Sequence, residues 1–306
     1  MTARITISLE GLIGLKAKAH GFSFLPRQPI GSLLSGRHRS RLRGRGLDFE
    51  ELRHYVQGDD VRAIDWKATA RLRSPHIRVF SEERDRPVLL VVDQRQDMFF
   101  GSRRAMKSVV ACELAALAAW KSLATGDRVG GIVFNNHSLK EIRPHRSQGR
   151  ILQFLQELSL QNQMLVKPSP EPSTVTLNQA LEAAQRHAKH DYLVVLISDL
   201  SGADQQTQKL ATQIAAHNDM MVVAVYDPLG ISLRSQPGMF ASANGQRIEV
   251  SAGSGFPQAF QDAFEQLLEH WMTIFRALKI PVLPIATEEP VVDQIRQLFG
   301  QHGVTG

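Results

Sequence analysis

Three short apolar runs, separated by helical segments, limit the fold of this chain more than any other feature of its sequence. The runs are VLLVVD at residues 88–93, YLVVLISD at residues 192–199 and MMVVAVYD at residues 220–227. Continuous apolar strands of this length are typical of a parallel sheet that is buried on both faces. Because helices alternate with the strands, we predict a doubly wound α/β sheet with helices on both sides.

A hairpin is predicted at one edge of this sheet. The runs at residues 128–134 and 138–144 are separated only by Asn135-Asn136-His137, which is typical of an antiparallel pair. The run PVLPIA at residues 281–286 is a further predicted strand. The prediction for residues 87–306 is therefore a mostly parallel six-stranded sheet with one antiparallel edge strand.

Two local features of this domain are also predicted. A second hairpin is expected as an insertion at about residues 238–250, turning at Asn244-Gly245. Ser102 is expected to cap the long helix that ends at Gly126, because serine is a favoured residue at helix N-termini.

Residues 1–86 lack the alternation of strands and helices, and we interpret them as a small basic α+β lobe. They carry seventeen Lys/Arg and ten Asp/Glu, whereas residues 87–306 carry nineteen and twenty. Five arginines alternate along one stretch of this lobe and would face one side of an extended strand: Arg37, Arg39, Arg41, Arg43 and Arg45. A phosphate backbone or an acidic protein surface would suit this basic arm. No aromatic residues for base stacking lie between the arginines, so nucleic acid is not the partner we expect.

The composition predicts a cytoplasmic protein without a membrane span. The longest apolar runs are much shorter than the segment that a bilayer-spanning helix needs. The first twenty residues contain no basic segment followed by an apolar one, as a signal peptide would. Cys112 is the single cysteine, and we interpret it as a small apolar core residue in a reducing compartment.

Charged residues follow the ends of two predicted strands. Asp93 and Asp199 end their strands, and Arg95 and Asp97 follow Asp93 at alternating positions. Ligands of such sheets bind beyond the carboxyl ends of the strands, so these side chains are expected to meet there. Asp93, Asp97 and Asp199 could hold Mg²⁺, or Arg95 could pair with one of them and occupy the position of the ion. We favour the metal-free arrangement.

A second charged motif, GDDVRAIDWKATAR, lies in the basic lobe at residues 58–71. The residues singled out in and near it are Arg53, Asp59, Asp60, Arg62, Asp65, Trp66 and Arg71. We interpret Arg53, Arg62, Asp65 and Arg71 as a charged network that fastens the lobe to the sheet, with Trp66 buried beneath it. Direct contact of the motif with a partner is the alternative. Removing one member of a buried ion network typically costs about 3–5 kcal/mol.

The sheet and its acidic end resemble the von Willebrand factor A fold. In that fold the first strand is followed by D-x-S-x-S, and a later threonine and an aspartate complete a metal-ion-dependent adhesion site. Asp93 matches the first aspartate and Asp199 matches the last. Arg95 and Asp97 replace the two serines, so the resemblance implies a degenerate form of this site.

The threonine of the adhesion site is also displaced in this sequence. Val175 occupies the corresponding position, and Thr174 and Thr176 flank it. We include these two threonines among the candidate residues for binding a partner at the end of the sheet.

The segment ahead of the sheet resembles the bacterial DUF58 family. The resemblance rests mainly on Gly58-Asp59-Asp60, Arg62, Ile64-Asp65-Trp66 and Ala70-Arg71. It implies association with a MoxR-type AAA+ ATPase and with membrane-bound A-domain proteins, in the assembly or maturation of protein complexes. On this hypothesis the chain is a non-enzymatic interaction module that needs no cofactor.

The alternative function is a Mg²⁺-dependent phosphohydrolase or a nucleic-acid-binding protein. Asp93, Asp97 and Asp199 would hold the metal, and the basic arm would hold phosphates. Against this alternative, no histidine lies in a motif such as HExxH that would supply a general base.

Overall fold

The computed structural model divides the chain into two compact units. The smaller unit is Ser32–Asp85, and the larger unit comprises Met1–Gly31 and Arg86–Gly306. The sequence prediction places residues 3–19 in the basic lobe, whereas the structure groups them with the larger unit. The structure describes residues 3–19, 47–57, 59–82, 86–167, 173–228, 239–243, 246–250 and 269–300. The arginines of the basic arm, at residues 37–45, lie outside these ranges.

Eighteen helices and strands are found in these ranges. In chain order they are α1 (Leu9–Gly14), β1 (Leu47–His54), α2 (Trp66–Leu72), β2 (His76–Glu82), β3 (Val88–Asp93), α3 (Lys107–Ala124), β4 (Val129–Phe134), β5 (Leu139–His145), α4 (Gln148–Met164), α5 (Leu177–His187), β6 (Leu193–Ser198), α6 (Gln205–Ala215), β7 (Asp219–Tyr226), β8 (Met239–Ala243), β9 (Gln246–Val250), α7 (269–277), β10 (Val282–Ala286) and α8 (Val291–Gly300). None of the helices in the described ranges is long and apolar enough to cross a membrane.

The larger unit is built on a six-stranded sheet with the order β10-β7-β6-β3-β4-β5. All neighbouring strands are parallel except β5, which runs antiparallel to β4 at the edge. This arrangement confirms the predicted fold class. The strand order reverses between β3 and β6, and the chain leaves these two strands toward opposite sides. A crevice therefore opens at their carboxyl ends, where ligands of such sheets bind.

Apolar side chains of β3 pack into two separate layers. Leu90 and Val92 join the core formed with α3 and α4, and Leu89 and Val91 join the core formed with α5, α6 and α7. This alternation follows from the period of two residues in a strand. Both layers are buried, which explains why the strand is apolar without interruption.

Two glycines in β4 allow close packing on both of its sides. A Cβ atom at Gly131 would overlap the Phe154 ring of α4, and one at Gly130 would lie 2.5 Å from the carbonyl oxygen of Ile142. The ring of Phe154 therefore packs directly on the backbone of β4. This contact fixes α4 beside the strand whose end leads to the crevice.

The start of α3 differs from our prediction. The helix begins at Lys107 with Met106 as its N-cap residue, so the prediction that Ser102 caps it is wrong. Ser102 instead donates from its backbone nitrogen and its hydroxyl to Asp227, at 2.8 and 2.7 Å. Just before the helix, Arg104 and Met106 are bonded through the backbone to Arg4. Ser102 is therefore a hydrogen-bond donor to Asp227 and not the cap of the helix.

The smaller unit contains the antiparallel pair β1 and β2, with α2 between them in the chain. Of the residues whose side chains are described in this unit, only His76 and Ile77 are buried. Strands β8 and β9 of the larger unit pair antiparallel over the residues predicted as an inserted hairpin. The expected turn at residues 244–245 lies outside the described ranges.

Candidate functional site

Three carboxylates and two cations gather at the carboxyl ends of β3 and β6, which we call the mouth of the sheet. Asp93 is the last residue of β3, and Asp199 follows the last residue of β6. Strands β3 and β6 are parallel neighbours, so their ends bring the two residues to the same edge. The sequence prediction that Asp93 and Asp199 lie at one end of the sheet is thereby confirmed.

Arg95 pairs with Asp93 through a set of directional hydrogen bonds. Its Nη2 donates to Asp93 Oδ2 at 2.7 Å, and its Nε donates to Oδ1 at 3.0 Å. The backbone nitrogen of Arg95 donates to the same Oδ1 at 2.9 Å. Asp93 is fully buried and Arg95 is 7% exposed. Two parallel bonds from one guanidinium to one carboxylate are among the strongest ion-pair geometries in proteins.

The surroundings of Arg95 complete its burial. Its Nη2 also donates to the carbonyl oxygen of Ser201 at 2.9 Å, and its guanidinium carbon lies 5.5 Å from the ring centre of Phe134. Burial alone would lower the pKa of Arg95, but the charge and the hydrogen bonds of Asp93 outweigh it. The pKa is therefore raised, and Arg95 is a permanent cation.

Ser198 supplies a further donor to Asp93 that the sequence did not indicate. Its hydroxyl donates to Asp93 Oδ2 at 2.7 Å and accepts from the backbone nitrogen of Leu200 at 3.0 Å. Ser198 reads as an ordinary residue in the apolar run of β6. Its polar character next to Asp199 was the only available signal.

Lys107 pairs with Asp199, a contact that sequence reasoning also missed. Its Nζ lies 2.5 Å from Asp199 Oδ2, and both side chains are largely buried. Asp199 accepts a second bond from the backbone nitrogen of Ser201 at 2.9 Å. Burial would raise the pKa of Asp199, but the charge of Lys107 and these hydrogen bonds lower it below the usual range. The carboxylate is therefore ionised and already neutralised by the protein.

Asp97 is the third carboxylate of the mouth, and it is exposed. Partial desolvation raises its pKa most, and the neighbouring charge of Asp199 adds to that effect. Among the described residues, no side chain donates a hydrogen bond to the Asp97 carboxylate or forms an ion pair with it. Asp97 therefore offers its charge to solvent or to a partner.

The loops around the mouth are joined through Asn136. Its side-chain oxygen accepts from the backbone nitrogen of Gln96 at 2.6 Å, and its carbonyl oxygen accepts from those of Thr174 and Val175 at 2.8 and 3.0 Å. The Thr174 hydroxyl lies 3.5 Å from the same carbonyl oxygen. Thr176 caps α5 by accepting from the backbone nitrogen of Gln179. Both threonines are exposed, and their hydroxyls bond locally and not to the carboxylates.

The donor set at the mouth does not fit a divalent ion. Both oxygens of Asp93 accept from Arg95, and Ser198 adds a further bond; the two oxygens of Asp199 accept from Lys107 and from the Ser201 backbone. Within the described ranges, no group of three His, Cys, Asp or Glu residues is arranged to hold a metal. A guanidinium about 4 Å from Mg²⁺ would repel it by roughly 8 kcal/mol at an effective dielectric constant of about 20.

The motif of the smaller unit forms local contacts. Arg53 forms a bidentate ion pair with Asp59, in which each hydrogen bond is 2.8 Å long. This pair lowers the pKa of Asp59. Asp60 accepts from the backbone nitrogen of Arg62, and Asp65 caps α2.

Trp66 is 69% exposed, so the prediction that it is buried is wrong. It occupies the first position of α2, whose half-buried side is formed by Ala68 and Thr69. Arg62 and Arg71 pair with no carboxylate among the described residues. The contacts described for the motif are the pair of Arg53 and Asp59 and the two aspartate caps.

Several known proteins are similar to this chain. Uncharacterized proteins of Mycobacterium bovis and Mycobacterium tuberculosis are each 28% identical over 207 residues, which is 68% of this chain. The chain spans about 63% of the length of these relatives. A crystal structure of an aerotolerance-related membrane protein from Bacteroides fragilis, with multiple mutations to serines, superposes with a TM-score of 0.42 at 14% identity. It covers 71% of this chain and 97% of its own.

A family model extends over most of the residues discussed above. The model described as protein of unknown function DUF58 matches residues 51–254, which include the motif of the smaller unit and the mouth of the sheet. The chain therefore belongs to the DUF58 family.

Proposed function

We propose that this protein is a non-enzymatic interaction module whose docking point is the mouth of the sheet. The observation that carries the proposal is the pairing of both strand-end carboxylates with cations of the chain itself, Asp93 with Arg95 and Asp199 with Lys107. Carboxylates used in this way are not available to hold a catalytic metal. They instead hold the strand ends and the loop after β6 in a fixed arrangement beside the exposed Asp97.

The charge of the mouth indicates the kind of segment that docks there. Three carboxylates face two cations, which leaves an excess of one negative charge, located at the exposed Asp97. Arg95 is buried, and only its Nη1 has no hydrogen bond within the described part of the chain. A polar segment with a donor for Asp97 fits this arrangement better than an acidic segment does.

Preorganisation of the loops supports docking without large rearrangement. Asn136 joins the loops that follow β3 and β4 to the residues before α5, and Arg95 joins the loop that follows β6. Loops that are already ordered lose little conformational entropy when a partner binds. The mouth can therefore bind a partner through few direct contacts.

The partner that we propose is a MoxR-type AAA+ ATPase, together with membrane-bound A-domain proteins, in the assembly or maturation of protein complexes. Membership of the DUF58 family supports this part of the proposal. We also propose a cytoplasmic location, because such an ATPase works on the cytoplasmic side.

A binding measurement with a charge reversal tests the docking point. The purified ATPase of the same organism is titrated with the full chain and with Asp97→Lys. We expect Asp97→Lys to weaken binding by about tenfold or more, because a rim charge contributes to complementarity. Glu182→Lys is the matched control, since Glu182 is exposed on α5 and makes no hydrogen bond or ion pair within the described residues.

Two outcomes would overturn the proposal. Equal affinity of wild type and Asp97→Lys would remove the mouth from the interface. Binding of Mg²⁺ or Mn²⁺ by the chain alone at micromolar strength, lost in Asp93→Ala, would restore the metal-dependent function instead.

A further inference from the structure

We infer that the smaller unit carries a second docking surface, formed by the outward face of α2, for an acidic protein segment that also contains apolar side chains. This α2 surface consists of Trp66, Lys67, Ala70 and Arg71. It belongs to the other unit of the chain and does not include any residue of the mouth.

The four residues of the α2 surface share one side of the helix. At about 100° per residue, Trp66, Ala70, Lys67 and Arg71 fall within an arc of about 140°. All four are exposed, whereas Ala68 and Thr69 on the other side are half-buried. Thr69 is held there because its hydroxyl accepts from the backbone nitrogen of His76 at 3.1 Å.

The apolar part of this surface is unusually exposed. Trp66 is 69% exposed, and the aliphatic side chain of Val61, five residues before it in the chain, is 59% exposed. The other two tryptophans of the protein, Trp120 and Trp271, are 2% and 4% exposed. Exposed tryptophan beside arginine is the composition typical of residues that dominate binding energy in protein interfaces.

The charged part of the surface favours an acidic partner. Arg62, Lys67, Arg71 and Arg73 are exposed, and none of them forms an ion pair with a carboxylate in the described ranges. The three aspartates of the motif are used locally, since Asp59 pairs with Arg53 and Asp60 and Asp65 accept from backbone nitrogens. Positive charge is therefore left for a partner.

A protein segment fits these features better than nucleic acid does. Cations and one tryptophan could bind phosphate and stack on a base. Exposed Val61 and Ala70, however, gain only from contact with apolar groups, which a nucleic acid backbone does not offer. An acidic segment with leucine or phenylalanine residues satisfies both the charges and the apolar side chains.

Tryptophan fluorescence of the full chain tests this inference, because Trp66 is the exposed tryptophan of the three. In the free protein, acrylamide and iodide should quench Trp66, and iodide should act more strongly than caesium because cations flank the ring. The probe is a short synthetic peptide in which glutamates alternate with leucines and phenylalanines. Its binding should protect Trp66 from quenching, and a version with lysines in place of the glutamates should not bind.

Variants locate the peptide on α2. We expect Trp66→Ala to weaken peptide binding, measured by calorimetry, by roughly thirtyfold. Lys67→Glu/Arg71→Glu should weaken it by about tenfold or more. The matched control is Lys189→Glu/Lys209→Glu, which makes the same charge change at exposed lysines of the larger unit. Asp97→Lys should bind the peptide like wild type, so failure of the mouth and failure of the α2 surface are distinguishable.

Four results would overturn the inference. Resistance of Trp66 to acrylamide in the free chain would mean that the protein itself covers it. Protection that grows with protein concentration alone would indicate that a second copy of the chain is the partner. Equal peptide binding by Lys67→Glu/Arg71→Glu would place the peptide elsewhere, and tighter binding of duplex DNA of equal charge would identify nucleic acid as the ligand.

Discussion

Replacing Arg95 by methionine should strongly destabilise the larger unit. Methionine keeps much of the side-chain volume but removes the guanidinium, so the fully buried Asp93 keeps only the Ser198 hydroxyl and one backbone nitrogen as donors. Loss of one partner of a buried pair costs about 3–5 kcal/mol, because the remaining charge is left in a medium of low polarity. We expect a loss of this size in the free energy of unfolding.

A double variant isolates the charge from the packing. Asp93→Asn/Arg95→Met leaves no buried charge, and the amide oxygen of the asparagine can still accept from Ser198. The double variant should therefore be more stable than Arg95→Met, and the difference gives the coupling of the pair. Arg186→Met is the matched control, because Arg186 pairs with Glu141 on the surface, where its side chain is 62% exposed. Its loss should be at most about 1 kcal/mol.

Urea unfolding followed by tryptophan fluorescence measures these values. In a Trp66→Phe background, the two remaining tryptophans, Trp120 and Trp271, are both buried in the larger unit and report its unfolding. Equal losses in Arg95→Met and Arg186→Met would refute the view of Arg95 as a buried counter-ion. A double variant no more stable than Arg95→Met would refute it as well.

Three further predictions follow from the mouth and from the helix beside it. Arg95→Ser/Lys107→Ala removes both built-in cations, so Mg²⁺ should raise its melting temperature above that in NaCl of equal ionic strength; no difference would contradict the replacement of an ion by these side chains. Asp97→Asn should raise the urea midpoint at pH 7, because the raised pKa of Asp97 means that its ionised form destabilises the fold. That gain should shrink as the pH falls through the raised pKa toward the unfolded value of about 3.9, and a gain that persists at low pH would contradict it. Cys112 is fully buried and burial raises the pKa of its thiol, so a disulfide reagent should modify it only as fast as the protein unfolds, and faster modification would show local opening.

The ends of the strands were predictable from the sequence because they depend on short-range patterns. Asp93 and Asp199 each close an apolar run, and parallel strands bring such ends to one edge. Arg95 lies only two residues beyond Asp93, so its side chain can reach back to that carboxylate. The predicted fold class required the same information, namely the period and the order of the apolar runs.

The counter-ion of Asp199 was not predictable in this way. Lys107 lies 92 residues away in the chain, and a lysine at the first position of a helix is usually solvated. Its role depends on where α3 begins, which in turn depends on Ser102 bonding to Asp227 instead of capping the helix. Such choices are decided by tertiary contacts that local patterns do not contain.

The exposure of Trp66 was missed for a different reason. Tryptophan side chains are highly buried on average, and the sequence prediction for Trp66 rested on that average. Few of the side chains described in the smaller unit are buried, and α2 uses Ala68 and Thr69 for its inner side. Where little core exists, residue type alone is a poor guide to burial.

The covalent attachment of Arg95 to the chain has a consequence for control of the protein. A bound magnesium ion exchanges with the solution, so chelators and competing ions can remove it. The guanidinium that bonds to Asp93 is tethered two residues away, and its effective concentration there does not depend on any supply. If the proposed docking at this end of the sheet is correct, it would therefore be constitutive and insensitive to free magnesium.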